Sequence, residues 1–197
     1  MIRKHTTVLF RALALAIGLG WAGSTSADWE LIRNSGAASF VTETLGPNGW
    51  TLDIDVFNNG GSGASIVLQS FAVNPFVGES DQIASLNIRA NTSPVILTIQ
   101  IAPNQPSSQT VPFIRNLSKS GSGTLIVNIR DIDGDLGIST SSPNYTFTPD
   151  IFGNIDIGGS VYADLLPQST TQGNLGIVTI DGDLNGSIIT PATGGVI

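Results

Sequence analysis

Cysteine is absent from all 197 residues, and the single histidine and single methionine, His5 and Met1, both fall within the first five positions. Without thiol or imidazole in the body of the chain, Cys-His and Ser-His nucleophiles, thiolate zinc sites and histidine general bases are excluded. What remains for chemistry is carboxylate, tyrosine, arginine and Lys119. No disulfide can hold the fold, so burial and backbone pairing must do so. Charge is also sparse: 12% of residues are charged against 41% apolar, which permits a packed core and excludes a charge-rich disordered chain. No segment keeps apolar residues at helical spacing for three turns, so helices are expected to be few.

The N-terminus has the pattern of an export signal. Arg3 and Lys4 precede an apolar run from Ala12 to Gly20, and the small residues Thr25 and Ala27 suit a signal peptidase, which makes residues 1–27 a removable signal peptide and Asp28 the first mature residue. The run is short for a membrane span of roughly 20 apolar residues, and Arg11 interrupts its approach, so no stable membrane span is expected in the mature chain. Removal takes Arg3, Lys4 and Arg11 from eight basic residues and leaves five against fifteen acids, a net charge of −10. Such an acidic chain is poorly matched to nucleic acid or to an anionic membrane. The expected location is outside the cytoplasm, either secreted or in the cell envelope.

Strand periodicity is plain beyond residue 28. In Thr51 to Val56, Leu52, Ile54 and Val56 face one way while Thr51, Asp53 and Asp55 face the other. The same period of two runs through Ile66 and Leu68, Leu86 and Ile88, and Val95, Leu97, Ile99 and Ile101. Turn chemistry separates these runs at Gly46-Pro47-Asn48-Gly49, Asn58-Asn59-Gly60-Gly61, Asn91 to Pro94 and Pro103 to Pro106. Residues 28–120 are therefore read as short strands.

An internal repeat marks the C-terminal part. Ile132-Asp133-Gly134-Asp135-Leu136, Ile157-Gly158-Gly159-Ser160-Val161 and Ile180-Asp181-Gly182-Asp183-Leu184 share an aliphatic, X, Gly, X, aliphatic pattern at offsets of 25 and 23 residues. Leucine-rich repeats have similar periods, but no Leu-x-Leu-x-x-Asn frame or helix-forming stretch lies between the matches. Stacked as parallel strands, Ile132, Ile157 and Ile180 form one inward row and Leu136, Val161 and Leu184 another. Gly134, Gly159 and Gly182 then coincide where the backbone approaches too closely for a Cβ. Outward positions carry Asp133, Gly158 and Asp181 in one row and Asp135, Ser160 and Asp183 in the next, so the neutral middle repeat keeps like charges about 10 Å apart.

Over residues 121–197 these repeats resemble those of exported bacterial parallel β-helix proteins, in which Ile-x-Gly-Asp-Leu-x-Gly-Ser-Ile segments recur and whose architecture is shared by adhesins and pectate-lyase-like proteins. The resemblance implies an all-β chain with C-terminal parallel β-helix (solenoid) coils in 121–197, preceded by a short-stranded β region or solenoid cap in 28–120. It implies no catalytic residue, because no lyase motif carries over and such folds host enzymes, adhesins and inert fibres alike.

Asp131, Asp133 and Asp135 are the candidate metal ligands, since carboxylates at alternate positions can converge on calcium, the one cofactor the sequence suggests. An EF-hand loop would need Gly after Asp135 and an acid near its end, where Leu136 and Ser142 stand. The glycine-rich toxin repeat fails as well, because Gly60-Gly61-Ser62-Gly63-Ala64-Ser65 lacks the ligand Asp and occurs once. A solvated outer face is the plainer account of these acids. An enzyme reading would make Arg130, Asp131 and Asp133 a metal-assisted polysaccharide lyase, but a guanidinium is an unusual base. Asp133 with Asp181, about 10 Å apart when stacked, would slightly exceed the inverting glycosidase range of about 6.5–9.5 Å. Trp29 and Trp50 stand near strand starts and suit packing better than sugar stacking.

The expectation that fits most of the chain is a non-enzymatic structural or adhesive surface protein, with a carbohydrate or protein surface as partner. A further 23 residues beyond Ile180 would put the next core aliphatic near position 203, whereas the sequence stops at Gly194-Gly195-Val196-Ile197. Either the chain is a fragment of a longer protein or it self-associates through its C-terminal coil.

Overall fold

The computed structural model describes residues 29–33, 37–47, 49–58, 63–70, 83–101, 114–132, 135–137, 145–170 and 174–191. The expected signal peptide, Gly134 and the Pro103 to Pro106 turn lie outside them. The described residues are all-β, without a helix: β1 (Trp29–Arg33), β2 (Ala37–Gly46), β3 (Gly49–Asn58), β4 (Ala64–Ser70), β5 (Ile83–Ala90), β6 (Val95–Ile101), β7 (Ile114–Ser120), β8 (Leu125–Ile132), β9 (Tyr145–Thr148), β10 (Ile151–Ile157), β11 (Ala163–Leu165) and β12 (Val178–Ile180).

Two six-stranded sheets share these strands, in the orders β1-β4-β6-β8-β10-β12 and β11-β9-β7-β5-β3-β2. From β3 onward, strands two apart in sequence are neighbours in one sheet and pair in parallel. Parallel neighbours need a crossover connection, and here a strand of the opposite sheet lies within each one, where a helix commonly would. Only β1 and β2 are antiparallel to their neighbours: β1 pairs with β4, and β2 forms a hairpin with β3 across Gly46 and Gly49. The pairing of β6 with β8 and of β5 and β9 with β7 carries both sheets across residues 120–121 without a break.

Alternation along each strand builds the core between the sheets. Leu52, Ile54 and Val56 are buried while Asp53 is exposed, and Ile66, Leu68, Leu86, Ile88, Val95, Leu97, Ile99 and Ile101 are buried as their periodicity required. Register places like with like. Leu52 lies beside Leu86, Leu86 beside Leu117, Leu117 beside Phe147 and Phe147 beside Leu165 in one sheet. The opposite row runs Ile66, Leu97, Val127, Phe152, Leu175. Each fully buried aliphatic contributes about 1.5–3 kcal/mol, so these rows are the main favourable term of the fold.

Both rows expected in the C-terminal part form: Ile132 pairs with Ile157 and Ile157 with Ile180, while Leu136 bridges to Val161 and Val161 to Leu184. Their last members differ from expectation. Ile180 is half-buried and Leu184 is 47% exposed, because no further strand covers them among the described residues. Gly182 sits against Gly159, where a Cβ would come within 2.6 Å of the Gly159 carbonyl carbon, as the coinciding glycines implied. Where the strands end, side chains take over the backbone bonding. Asp135 Oδ1 accepts from the Ser160 N–H at 2.6 Å and Ser160 Oγ accepts from the Asp183 N–H at 3.1 Å, while inside β8 and β10, where their register shifts, Asn128 Oδ1 accepts from the Asn154 N–H at 2.9 Å. Ser160 thus links the two acidic positions above and below it.

Ile157 is fully buried and its neighbour Asp156 is exposed, so adjacent substitutions test the facing of the chain. Ile157→Asp places an unpaired carboxylate in the row and is expected to remove about 4 kcal/mol or more of stability in urea denaturation. Asp156→Ala should stay within about 0.5 kcal/mol of the parent.

Candidate functional site

Of the candidate metal ligands, Asp133 lies outside the described residues, and Asp131 belongs to β8 without a described side chain. Asp135 is described and half-buried, and one of its oxygens is occupied by the Ser160 N–H. That bond gives Asp135 a structural role in joining neighbouring strand ends. Arg130, Asp181 and Asp183 are exposed. Lys119, the only lysine besides Lys4, also has a structural partner: its Nζ lies 3.2 Å from Asp150 Oδ2, which accepts the Leu125 N–H at 2.7 Å. Both side chains are mostly buried, and the pair closes the connection between β7 and β8. Trp50 is half-buried beside Leu45 and Ile83, a packing role; the side chain of Trp29 lies outside the described residues.

A further surface feature among the described residues lies on the outward face of the sheet that begins with β2 and β3. Strand pairing aligns its outward residues in rows: Phe40, Asp55, Arg89 and Ser120 form one, and Thr42, Asp53, Asn87, Ser118 and Thr148 the next. Between these rows lies a cavity of about 410 Å³. Its polar wall is internally organised: Ser118 Oγ donates to Asn87 Oδ1 at 2.8 Å, and Asn87 Nδ2 donates to Asp53 Oδ1 at 2.8 Å. Asp53 is thereby held with its second oxygen unused by any described neighbour. Arg89 and Asp55 approach to 3.9 Å and remain 62% and 41% exposed, a loose pair in which both groups stay accessible. At one end stands Phe40, 71% exposed, with its ring centroid 5.4 Å from that of Phe57.

Scans against protein-family models, curated proteins and solved structures found no match to this chain. The site must therefore be interpreted from its own chemistry. None of its residues belongs to the acidic cluster that the sequence suggests, and the separation of Phe40, Asp55 and Arg89 along the chain explains why. The only available signal was the alternation within each strand, which shows which residues face outward but not which strands are neighbours.

Glu43 marks the electrostatic limit of the same strand. It stands on the core-facing side of β2 opposite Leu52, and burial pushes its carboxyl above the ordinary glutamate value. A raised folded-state pKa means that the native state holds its proton to higher pH than the unfolded chain does. Stability from this group is therefore full below about pH 4 and is lost as pH rises through the raised value. Glu43→Gln should raise the melting temperature at pH 7 by about 1–2 °C and leave it unchanged near pH 3.5, as read by calorimetry at both pH values.

Proposed function

We propose that this chain is an exported β-solenoid with a structural or adhesive role at the cell surface. The observation that carries the proposal is the register: strands two apart in sequence pair in parallel, and rows of buried apolar residues run through both sheets. In a solenoid each strand pair is one coil, β1 and β2 act as the antiparallel cap of the first coil, and polar outward rows form a long flat face. Such a face suits contacts assembled from many weak polar interactions. The described polar groups serve coil-to-coil bonding, as Asp135, Ser160 and Asp150 do, and this favours a scaffold over a catalyst.

The same proposal includes self-association through the last described coil. Leu184 is 47% exposed there, while the equivalent position one coil earlier, Val161, is fully buried. Asp183 occupies the place from which Asp135 and Ser160 each receive the N–H of the next coil. The occupant of this end is a second copy of the chain, since the surface is of the kind that each coil already offers to the next. For the chain recovered after export, light scattering across a concentration series should show mass rising above the monomer, and Leu184→Lys should hold it at the monomer. A monomer at every concentration would contradict self-association, and recovery of the chain in the cytoplasm with its first residues intact would contradict export.

A further inference from the structure

We infer that the groove between Phe40 and Arg89 binds a neutral polysaccharide, with one sugar ring seated against Phe40. The inference deepens the adhesive part of the proposed function by naming a ligand class and a site.

Phe40 is the first observation. The Phe40 ring is 71% exposed on a strand whose neighbouring outward positions are Thr42 and Thr44, which leaves most of it open to a ligand, and Phe57 beside it widens the apolar shelf. A pyranose presents a face of C–H bonds to such a shelf, and the negative face of the aromatic ring attracts those weakly positive hydrogens. The second observation is what surrounds the shelf. Within two strand spacings stand two carboxylates that accept, Asp53 and Asp55, and a guanidinium that donates, Arg89, with the Ser120 hydroxyl capable of both. A sugar ring carries hydroxyls at its edge that both donate and accept, and neighbouring hydroxyls can be shared between a carboxylate and a guanidinium side by side. A peptide strand would instead pair along the open backbone edge of β2, away from the outward face of β3 and β5, which are already paired on both sides and form the floor of this groove.

Preorganisation favours the same ligand class. The chain of bonds from Ser118 through Asn87 to Asp53 fixes the Asp53 carboxylate before any ligand arrives, while the 3.9 Å contact of Arg89 with Asp55 is loose enough to open for a hydroxyl. Charge selects within the class. Two aspartates against one arginine leave the groove negative, as is the mature chain, so uronate and sulfated polymers are disfavoured and neutral glycans admitted. A volume of about 410 Å³ falls at the small end of the roughly 300–1,000 Å³ usual for ligand clefts, which suits one or two sugar rings of a longer chain.

The test is affinity electrophoresis and calorimetry of the exported chain with soluble neutral polysaccharides (a β-glucan, a xylan and a mannan) and with pectate and alginate as anionic counterparts. At least one neutral polymer should bind, with Phe40→Ala weakening it by about tenfold or more and Phe40→Tyr retaining it. Asp55→Asn should weaken it less, and Leu45→Ala, on the opposite side of the same strand, should leave it unchanged. No binding to any neutral polymer, binding to the uronate polymers alone, or an affinity untouched by Phe40→Ala in a normally melting variant would each overturn the inference. Because binding is read on the monomeric Leu184→Lys chain as well, failure here is separable from failure of self-association.

Discussion

Everything else in this protein depends on one constraint: the core-facing residues of neighbouring parallel strands must lie side by side in the same sheet, apolar beside apolar except where Ile88 meets Lys119. A slip of a whole strand by one residue would turn its core side chains toward water and its outward Asp, Asn and Thr toward the core, and the two irregular steps between β8 and β10 stay local, with Ile157 again beside Ile132 after them. The row from Leu52 to Leu165 and the row from Ile66 to Leu175 satisfy this constraint without a disulfide. Once the inward rows are in register the outward rows are too, and Asp53, Asn87 and Ser118 become hydrogen-bonding neighbours although more than thirty residues separate each from the next.

How far this could be read in the sequence depended on the spacing. Ile132, Ile157 and Ile180 repeat at 25 and 23 residues with glycine at a fixed place, so their stacking was visible beforehand. Leu52, Leu86, Leu117 and Phe147 occupy equivalent places at offsets of 34, 31 and 30, with connections of unequal length and no shared flanking residues, so nothing in the chain announced them. Their strands were legible individually from alternation, but their neighbours were not. The groove was hidden for the same reason: Phe40 meets Asp55 through a hairpin, and Arg89 joins them only through parallel pairing of β5 with β3. The acidic repeat drew attention to Asp131, Asp133 and Asp135 because acids stand out in a sparsely charged chain. Asp135, the one whose side chain is described, is bound to the backbone of the next strand.

Polar groups serve two purposes in this chain, and burial separates them. Where strands end and backbone groups would be left without partners, Asp135, Ser160 and Asp150 supply the missing acceptors, and Asn128 does so at the irregular step between β8 and β10. On the flat outward face, Ser118, Asn87 and Asp53 bond to one another, and the groove beside them is bordered by the exposed Phe40 ring. Glu43 fits neither use: placed opposite a leucine on the inner side of β2, it is disfavoured in its charged form by burial.

The central claim is the register of parallel neighbours, and a chain without cysteine allows it to be read directly. Ser118 and Thr148 are register partners thirty residues apart on the outward face. Parallel partners lie at about 4.8 Å, within disulfide reach, whereas the next outward residue along the strand is about 8 Å away diagonally. Mild oxidation of the double variant Ser118→Cys and Thr148→Cys should close a disulfide and consume both thiols, while Ser118→Cys with Thr146→Cys should stay reduced. Crosslinking of the second pair in preference to the first would contradict the account.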